Sequence, residues 1–182
     1  MSRYTDTIIA GFGGQGVMLI GNLLAYAGMT EGLNVTYIPV YGPEMRGGTA
    51  NCTVVLSDED IGSPLIASPV STIIMNRPSL DKFQPRLQDG GTQVVNSSLV
   101  DLELTEKDRV RTVPIAANEI ADSLGNTRMA NMVAIGAFAQ ATGAVSLDAL
   151  IQSLEHVISP RYHKLIPANT DAIKAGAEAV GA

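Results

Sequence analysis

The sequence predicts an α/β fold, in which a single open and mainly parallel sheet is flanked by helices. Three observations favour this fold. The chain opens on a Rossmann-like strand–turn–helix–strand unit, strand-like and helix-like segments continue to alternate beyond it, and 46% of its 182 residues are hydrophobic against 16% that are charged. A chain of this length and composition can bury one sizeable core, so we expect residues 1–182 to form a single domain.

The first unit is organised around a cluster of glycines. Residues 4–10 become increasingly apolar and predict a strand that leads directly into G-F-G-G-Q-G. From Val17 apolar residues recur at helical spacing until Gly28 and Gly32, which favour a helix end. Residues 34–40 again have the pattern of a strand. This strand–helix–strand order predicts a βαβ unit with a right-handed crossover.

Beyond the first unit the chain predicts further strands and then a mostly helical remainder. Residues 41–48 read Y-G-P-E-M-R-G-G, and their glycine and proline content predicts a loop. Ser146 has the residue type of an N-cap, and Gly125 and Gly143 are typical of helix ends. Strands are expected at 50–56, 71–75, 92–96 and 109–113, and helices at 79–87, 116–124, 129–142, 147–158 and 169–180.

Charge and hydropathy disfavour two classes of partner. A net charge of −6 provides no basic field to attract phosphates over distance, so nucleic acid is disfavoured as the main partner. No stretch approaches the roughly 20 apolar residues that a membrane span needs. The first residues lack the pattern of a signal peptide, so the sequence predicts a cytoplasmic protein that makes no contact with a membrane.

The cysteine and histidine content predicts that this chain holds no metal. Cys52 is the only cysteine, which excludes an internal disulfide and an all-protein thiolate cage for zinc or an iron–sulfur cluster. His156 and His163 are seven positions apart, without the i, i+4 spacing of a helical metal pair. We expect Cys52 to be a small buried apolar residue within the third strand.

The glycine turn allows two interpretations. Gly11, Gly13 and Gly16 have the G-x-G-x-x-G spacing between a strand and a helix, where backbone N–H groups can approach an anion closely. In the alternative interpretation these glycines serve close packing of helix on sheet, or docking of another chain. Bound NAD or FAD is disfavoured, because residues 35–40 carry no Asp or Glu for the ribose hydroxyls and no Arg for a 2′-phosphate. A P-loop is excluded, since no Gly-Lys-Ser or Gly-Lys-Thr follows the turn.

A second polar cluster lies in the loop at residues 41–48. Glu44 and Arg46 follow the second strand, which on an open sheet places them at the carboxyl edge beside the glycine turn. The alternative is a solvent-exposed ion pair that contributes little.

Four segments together resemble a known family. They are G-F-G-G-Q-G-V at 11–17, Y-G-P-E-M-R-G-G at 41–48, N-S-S at 96–98 and G-N-T-R-M-A-N-M at 125–132. With these motifs the chain resembles, from its first strand to about residue 158, the γ subunit of 2-oxoacid:ferredoxin oxidoreductases. The glycine turn and the Y-G-P-E-x-R-G-G loop are specific as a pair, whereas either motif alone would be weak.

The resemblance implies a subunit without a complete active site and with no catalytic residue of its own. It implies that the complex converts a 2-oxoacid, with 2-oxoglutarate favoured, and coenzyme A into acyl-CoA and carbon dioxide while reducing ferredoxin. Thiamine diphosphate, Mg²⁺ and iron–sulfur clusters are then expected on the partner α and β subunits, with a δ subunit as a further option. This chain is expected to assemble the complex and to contact coenzyme A. A homodimer of the isolated chain is a further option. The alternative function is a stand-alone nucleotide-binding module that uses the glycine turn.

The resemblance also selects the residues that would meet a cofactor or a neighbouring subunit. Arginine side chains can pair bidentately with phosphate or carboxylate, and the rival interpretation of each polar candidate is an intradomain or inter-subunit contact. Asn126, for example, has the alternative role of capping a helix near Arg128. Met129, Met132 and Phe138 are expected in the core or an interface. The candidates are Gly11, Gly13, Gly14, Gln15, Gly16, Glu44, Arg46, Gly47, Asn126, Arg128 and Asn131.

Overall fold

The computed structural model describes residues 3–40 and 49–181, and it confirms an α/β fold built on one open sheet. Within these residues the sheet has six strands: β1 (Tyr4–Phe12), β2 (Asn34–Val40), β3 (Thr49–Ser57), β4 (Ser71–Ile74), β5 (Thr92–Asn96) and β6 (Arg111–Ile115). The helices are α1 (Val17–Thr30), α2 (Arg77–Phe83), α3 (Ala117–Ser123), α4 (Ala130–Thr142), α5 (Leu147–Val157) and α6 (Ile166–Gly181). Short 3₁₀ segments lie at Gln84–Arg86, Leu102–Leu104, Thr127–Met129 and Pro160–Leu165.

The strand order is β2-β3-β1-β4-β5-β6, and β1, β4, β5 and β6 are parallel to one another. β3 is antiparallel to both of its neighbours, β1 and β2. β1 and β2 therefore run in the same direction, as the βαβ pattern predicts, but β3 lies between them. The eight residues that join β2 to β3 are too few for a parallel crossover, which needs a dozen or more, whereas an antiparallel return needs only a short loop.

The two faces of the sheet are covered by different helices. Side chains alternate along each strand, so Ile9 of β1 joins a large core with α1 and α4, whereas its neighbour Ile8 joins a smaller core with Leu80 and Phe83 of α2. All residues of α4 from Ala130 to Ala139 are buried, so this helix lies inside the protein, as a helix that is apolar all round must. Met129, Met132 and Phe138 are buried in the same core, as predicted.

α4 and α6 pack with their backbones in contact. A Cβ atom added to Gly136 of α4 would lie 2.0 Å from the carbonyl oxygen of Ile173, and one added to Gly176 of α6 would lie 1.9 Å from that of Val133. Real side-chain carbons do not approach a backbone oxygen so closely. The crossing of these two helices therefore depends on glycine at both positions.

The helix-end signals of the sequence are confirmed, and one strand lies later than predicted. The Ser146 hydroxyl accepts a hydrogen bond from the Ala149 N–H at 3.1 Å, and Gly143 ends α4 with a φ of 64°. The strand predicted at 109–113 is observed as β6, Arg111–Ile115. This strand includes Pro114, which cannot donate to a ladder but is tolerated because β6 is an edge strand.

The carboxylate of Glu31 joins three parts of the chain. Its oxygens accept hydrogen bonds from the Ser146 N–H at 2.6 Å and from the Arg3 guanidinium at 2.5 Å, and Arg3 also donates to the Ala144 carbonyl at 2.8 Å. Burial raises the pKa of the Glu31 carboxyl, but the hydrogen bonds from Ser146 and Arg3 outweigh it and hold the pKa below the ordinary value of 4.5. The charged form is therefore the one that the folded state favours.

Replacing Glu31 by glutamine should lower the free energy of unfolding by about 1 kcal/mol at neutral pH, because a charge-assisted pair is lost. A carboxyl whose pKa is lowered by folding contributes its stability above the unfolded pKa, here 4.5, and loses it as the pH falls through the folded pKa. The difference between wild type and variant, measured by urea unfolding from pH 7 to pH 3, should therefore shrink below pH 4.5. Glu155→Gln, at an exposed position of α5, is the control. If both variants lose the same free energy of unfolding, or if the loss for Glu31→Gln does not depend on pH, the role assigned to the charged Glu31 carboxylate is contradicted.

Candidate functional site

The turns that follow β1, β4 and β6 form a cleft at the carboxyl edge of the sheet. From β1 the chain proceeds to α1 and β2 on one side, and from β4 it proceeds to β5 on the other, so the cleft lies where the connections diverge. Open α/β sheets bind their ligands at such a point. The cleft has a volume of about 380 Å³ and is lined by Gly14, Gln15, Met75, Asn118, Thr127, Arg128, Ala130 and Asn131.

Gln15 ties the glycine turn to the end of β4. Its amide oxygen accepts hydrogen bonds from the Phe12 N–H at 2.6 Å and from the Asn76 side chain at 3.3 Å. Its amide nitrogen donates to the Met75 carbonyl at 3.3 Å. The turn is thus held in place from within the protein, and the Phe12 N–H is not free to meet a ligand.

The four glycines of the turn have different roles. An added Cβ at Gly11 would meet Met75 Cβ and Val17 Cγ2 at 2.9 Å, and one at Gly16, which has a φ of 73°, would meet Asn131 Nδ2 at 2.3 Å. These two positions fit the packing interpretation. Gly14 has a φ of 94°, and a Cβ there would meet nothing within 4 Å. Gly13 is exposed but does not line the cleft, so Gly14 is the glycine that opens the turn toward a ligand.

The first turn of α1 offers its N–H groups without a side-chain cap. The helix begins after Gly16, which has no side chain to accept them. At α3, by contrast, the Asn96 amide oxygen accepts from the Ala117 N–H at 3.2 Å and the Ser98 hydroxyl accepts from the Asn118 N–H at 3.0 Å. The first turn of α1 also holds no acidic residue, so the positive end of its dipole, at the carboxyl edge of the sheet, favours an anion there.

Arg128 supplies a positive side chain at the same cleft. The Asn126 amide oxygen accepts from the Arg128 N–H at 3.1 Å, so the capping role proposed for Asn126 is confirmed. The Arg128 side chain is exposed and makes no hydrogen bond or ion pair with any residue in 3–40 and 49–181. Asn131 is 5% exposed and donates to the Gly16 carbonyl at 3.4 Å. A guanidinium without a partner among the described residues and the exposed glycine turn that leads into α1 thus meet at one cleft, which suits a phosphate or carboxylate group.

The loop candidates Glu44, Arg46 and Gly47 lie outside the described residues. The strands that flank them are placed, since Val40 at the end of β2 pairs with Asn51 and Thr49 at the start of β3 pairs with Phe12 of β1. Because β3 separates β1 from β2, the end of β2 is about 10 Å from β1. An acidic residue there would be farther from the glycine turn than in a dinucleotide-binding fold, which is a second argument against bound NAD or FAD.

Cys52 does not fit a cluster ligand. It is fully buried in β3, its Sγ–H points to the Val17 carbonyl at 3.6 Å, and burial raises the pKa of the thiol to about 12. Iron–sulfur clusters are held by thiolates, which this environment disfavours. In the described ranges no three His, Cys, Asp or Glu side chains come together as metal ligands would, and no helix there has the length and apolarity to cross a membrane.

Four residues of the cleft were not among the candidates from the sequence, and one of them is Ala130, the first residue of α4. Met75 directly follows β4, Asn118 lies in the first turn of α3 after β6, and Thr127 precedes Arg128. The signal that could have found Met75 and Asn118 is their position just after a parallel strand, because the carboxyl ends of such strands meet at one edge.

Comparison with known proteins gives a consistent family. Residues 6–179 match the family model for pyruvate ferredoxin/flavodoxin oxidoreductase. The chain is 35% identical to 2-oxoglutarate synthase subunit KorC of Methanothermobacter marburgensis, over 94% of both chains. It is 37% identical to ketoisovalerate oxidoreductase subunit VorA of the same organism, over 93% of this chain but only 35% of that protein. This chain thus spans about a third of the VorA relatives that it matches.

Two solved structures share the fold. The γ subunit of a keto/oxoacid ferredoxin oxidoreductase from Geobacter sulfurreducens superimposes with a TM-score of 0.82 at 26% identity, over 97% of this chain and 98% of that one. The 2-oxoglutarate:ferredoxin oxidoreductase of Magnetococcus marinus, solved with 2-oxoglutarate, coenzyme A and succinyl-CoA bound, gives a TM-score of 0.84 at 22% identity, over 98% of this chain and 31% of that one. At that identity the second likeness concerns the fold alone.

Proposed function

The chain belongs to the pyruvate ferredoxin/flavodoxin oxidoreductase family, and from this premise we propose that it is the γ subunit of a 2-oxoacid:ferredoxin oxidoreductase. The complex would oxidatively decarboxylate a 2-oxoacid, form an acyl-CoA and pass electrons to ferredoxin. We favour 2-oxoglutarate, because the match to KorC spans 94% of both chains. Ketoisovalerate is the second candidate, since the VorA relatives are 37% and 39% identical.

Within that complex we assign to this chain the positioning of coenzyme A. The observation that carries the assignment is the meeting of Arg128 with Gly14 and Gln15, which lead into the start of α1, at one cleft. Coenzyme A carries phosphates, which a guanidinium and helix N–H groups bind well. Gly14 would let the backbone approach the ligand, and the Asn118 amide lies on the same lining to contribute a polar contact.

The remaining chemistry is assigned to partner subunits. The α and β subunits, with δ as a further option, would hold thiamine diphosphate with Mg²⁺ and the iron–sulfur clusters. Thiamine diphosphate supplies carbanion stabilisation, and the clusters supply electron transfer. This assignment is supported by the burial and raised thiol pKa of Cys52. We place the complex in the cytoplasm.

The proposal is tested by purifying the tagged chain anaerobically from its source cells. We expect partner subunits with thiamine and clusters, and reduction of ferredoxin only when both a 2-oxoacid and coenzyme A are present. Among 2-oxoglutarate, pyruvate, ketoisovalerate and an aryl oxoacid, 2-oxoglutarate should give the highest kcat/KM. A chain that purifies alone with a nucleotide bound would instead support the stand-alone nucleotide-binding module, and a dimer that retains no partner would oppose both.

Replacing Arg128 by alanine should raise the KM for coenzyme A in the purified complex by roughly 10- to 100-fold, because a charge-assisted contact to phosphate contributes about 1.5–3 kcal/mol. The KM for the 2-oxoacid should change little. Arg77→Ala is the matched control, since Arg77 is an exposed arginine that pairs with Asp81 on α2. Unchanged affinity for coenzyme A, or an equal rise in both KM values, would contradict the assignment.

A further inference from the structure

A second and larger depression, here called the outer groove, lies beside the cleft. It has a volume of about 670 Å³ and shares Arg128 and Asn131 with the cleft. The rest of its lining comes from α1, from the segment before α4, from the end of α5, from the segment that joins α5 to α6, and from α6. Its apolar lining residues are Leu19, Met129, Val157, Ile158 and Leu165. Volume and lining are those of a binding site, and the proposed contact with coenzyme A does not use these apolar residues.

The rim of the outer groove is positive. The Arg161 guanidinium lies 4.7 Å above the ring of Tyr162, which lines the groove and is 45% exposed. Among the arginines in the described ranges, Arg128 and Arg161 are the two that pair with neither a carboxylate nor a carbonyl. Arg128 lines this groove, and Arg161 lies against Tyr162, which lines it. No described lining residue is acidic, although the chain as a whole has a net charge of −6. The groove therefore complements a negative occupant. The other described arginines are bonded elsewhere: Arg3, Arg77 and Arg109 to carboxylates, and Arg86 and Arg111 to carbonyls.

Three asparagine side chains of the lining offer both donors and acceptors. Asn131 and Asn169 are buried, and each uses its amide nitrogen on a backbone carbonyl, of Gly16 at 3.4 Å and of Leu165 at 2.7 Å. Their amide oxygens have no hydrogen-bond partner in the described part of the chain, and neither has the amide nitrogen of Asn126. A peptide backbone presents N–H and C=O groups that suit both, whereas a simple anion can use the donors alone.

From these features we propose that the outer groove receives an extended, acidic segment of a partner subunit. The segment packs an apolar side chain on the floor, pairs a carboxylate with Arg161, which leaves Arg128 to coenzyme A, and bonds its backbone to the asparagine amides. This proposal rests on the proposed function, because it requires that the chain be a subunit. Arg161 does not line the cleft, so the segment can be tested apart from coenzyme A.

The test uses the complex co-purified through the tagged chain. Arg161→Glu should reduce the partner subunits recovered per chain by about ten-fold or more at low salt, because attraction becomes repulsion. The difference from wild type should narrow as salt is raised, because salt screens both interactions. Arg77→Glu, at an exposed site on α2, should leave recovery unchanged. Thermal melting of both variants shows that the chain itself is folded.

A second measurement identifies the occupant. Tyr162→benzoylphenylalanine, irradiated in the purified complex, should cross-link to a partner segment that mass spectrometry shows to contain Asp or Glu beside an apolar residue. The proposal is overturned if the cross-link joins a second copy of this chain, a basic or uncharged segment, or no protein at all. Normal assembly of the Arg161→Glu complex would overturn it as well. If the wild-type chain retains no partner, the proposed function itself fails; if the wild type assembles and only these tests are negative, the docking proposal alone fails.

Discussion

Replacing Gly176 by alanine is expected to lower the free energy of unfolding by more than about 3 kcal/mol, which is a large part of the stability of a small domain. The added methyl group would meet the carbonyl oxygen, carbonyl carbon and Cα of Val133 at 1.9, 2.7 and 2.9 Å. All three are backbone atoms, so no side chain can rotate away and α4 and α6 must separate. Alanine is the better helix former by about 1 kcal/mol, which cannot offset the loss of this packing.

Controls on the same two helices isolate the cause. Gly181→Ala in α6 places its methyl group in open space and should leave the urea midpoint unchanged or slightly raised. Gly136→Ala should be as damaging as Gly176→Ala, since its methyl group would lie 2.0 Å from the Ile173 carbonyl. One separation of the helices relieves both contacts, so the double variant should lose less than the sum of the single losses. Wild-type stability of Gly176→Ala would show that the helices lie farther apart than described.

The location of the helices and strands follows from the sequence because each obeys a local rule. Residues 34–40 and 92–96 were predicted as strands from their apolar and β-branched content, and both are observed with these bounds as β2 and β5. The Ser146 cap depends on residue type at one position. β6 lies two residues later than predicted and includes Pro114, which the position of the strand at the sheet edge makes acceptable.

Contacts between distant segments were less predictable. The G-x-G-x-x-G motif was one feature in the sequence, yet Gly11 packs on Met75 and Gly16 on Asn131, which are far away along the chain. The helical glycine Gly136 gave no sign of its partner helix. Arg128 was a candidate from the motif, but its lack of an internal partner is apparent only once its neighbours are placed.

Replacing Gly16 by alanine is expected to lower the free energy of unfolding by about 2–4 kcal/mol and to weaken coenzyme A binding as well. Both effects are expected because Gly16 holds the turn in shape and packs against a residue of the proposed site. Two effects add: a φ of 73° strains any residue with a Cβ, and that Cβ would lie 2.3 Å from the Asn131 amide. Both the start of α1 and Asn131, which lines the cleft, would be displaced. Urea unfolding and the KM for coenzyme A in the complex are the measurements.

Gly32→Ala separates the two effects of the Gly16 substitution. Gly32 has nearly the same φ, 76°, but a Cβ there meets nothing within 4 Å, so this variant should show the backbone strain alone, about 1–2 kcal/mol, and a normal KM for coenzyme A. In an Asn131→Ala background, Gly16→Ala should then lower the free energy of unfolding by no more than Gly32→Ala does. The contact with the Asn131 amide is gone there, and only the backbone strain remains. If Gly16→Ala costs the same with and without Asn131, the close approach of the two residues does not hold the turn. If it destabilises the chain but leaves the KM unchanged, the turn is structural, and coenzyme A is bound elsewhere in the complex.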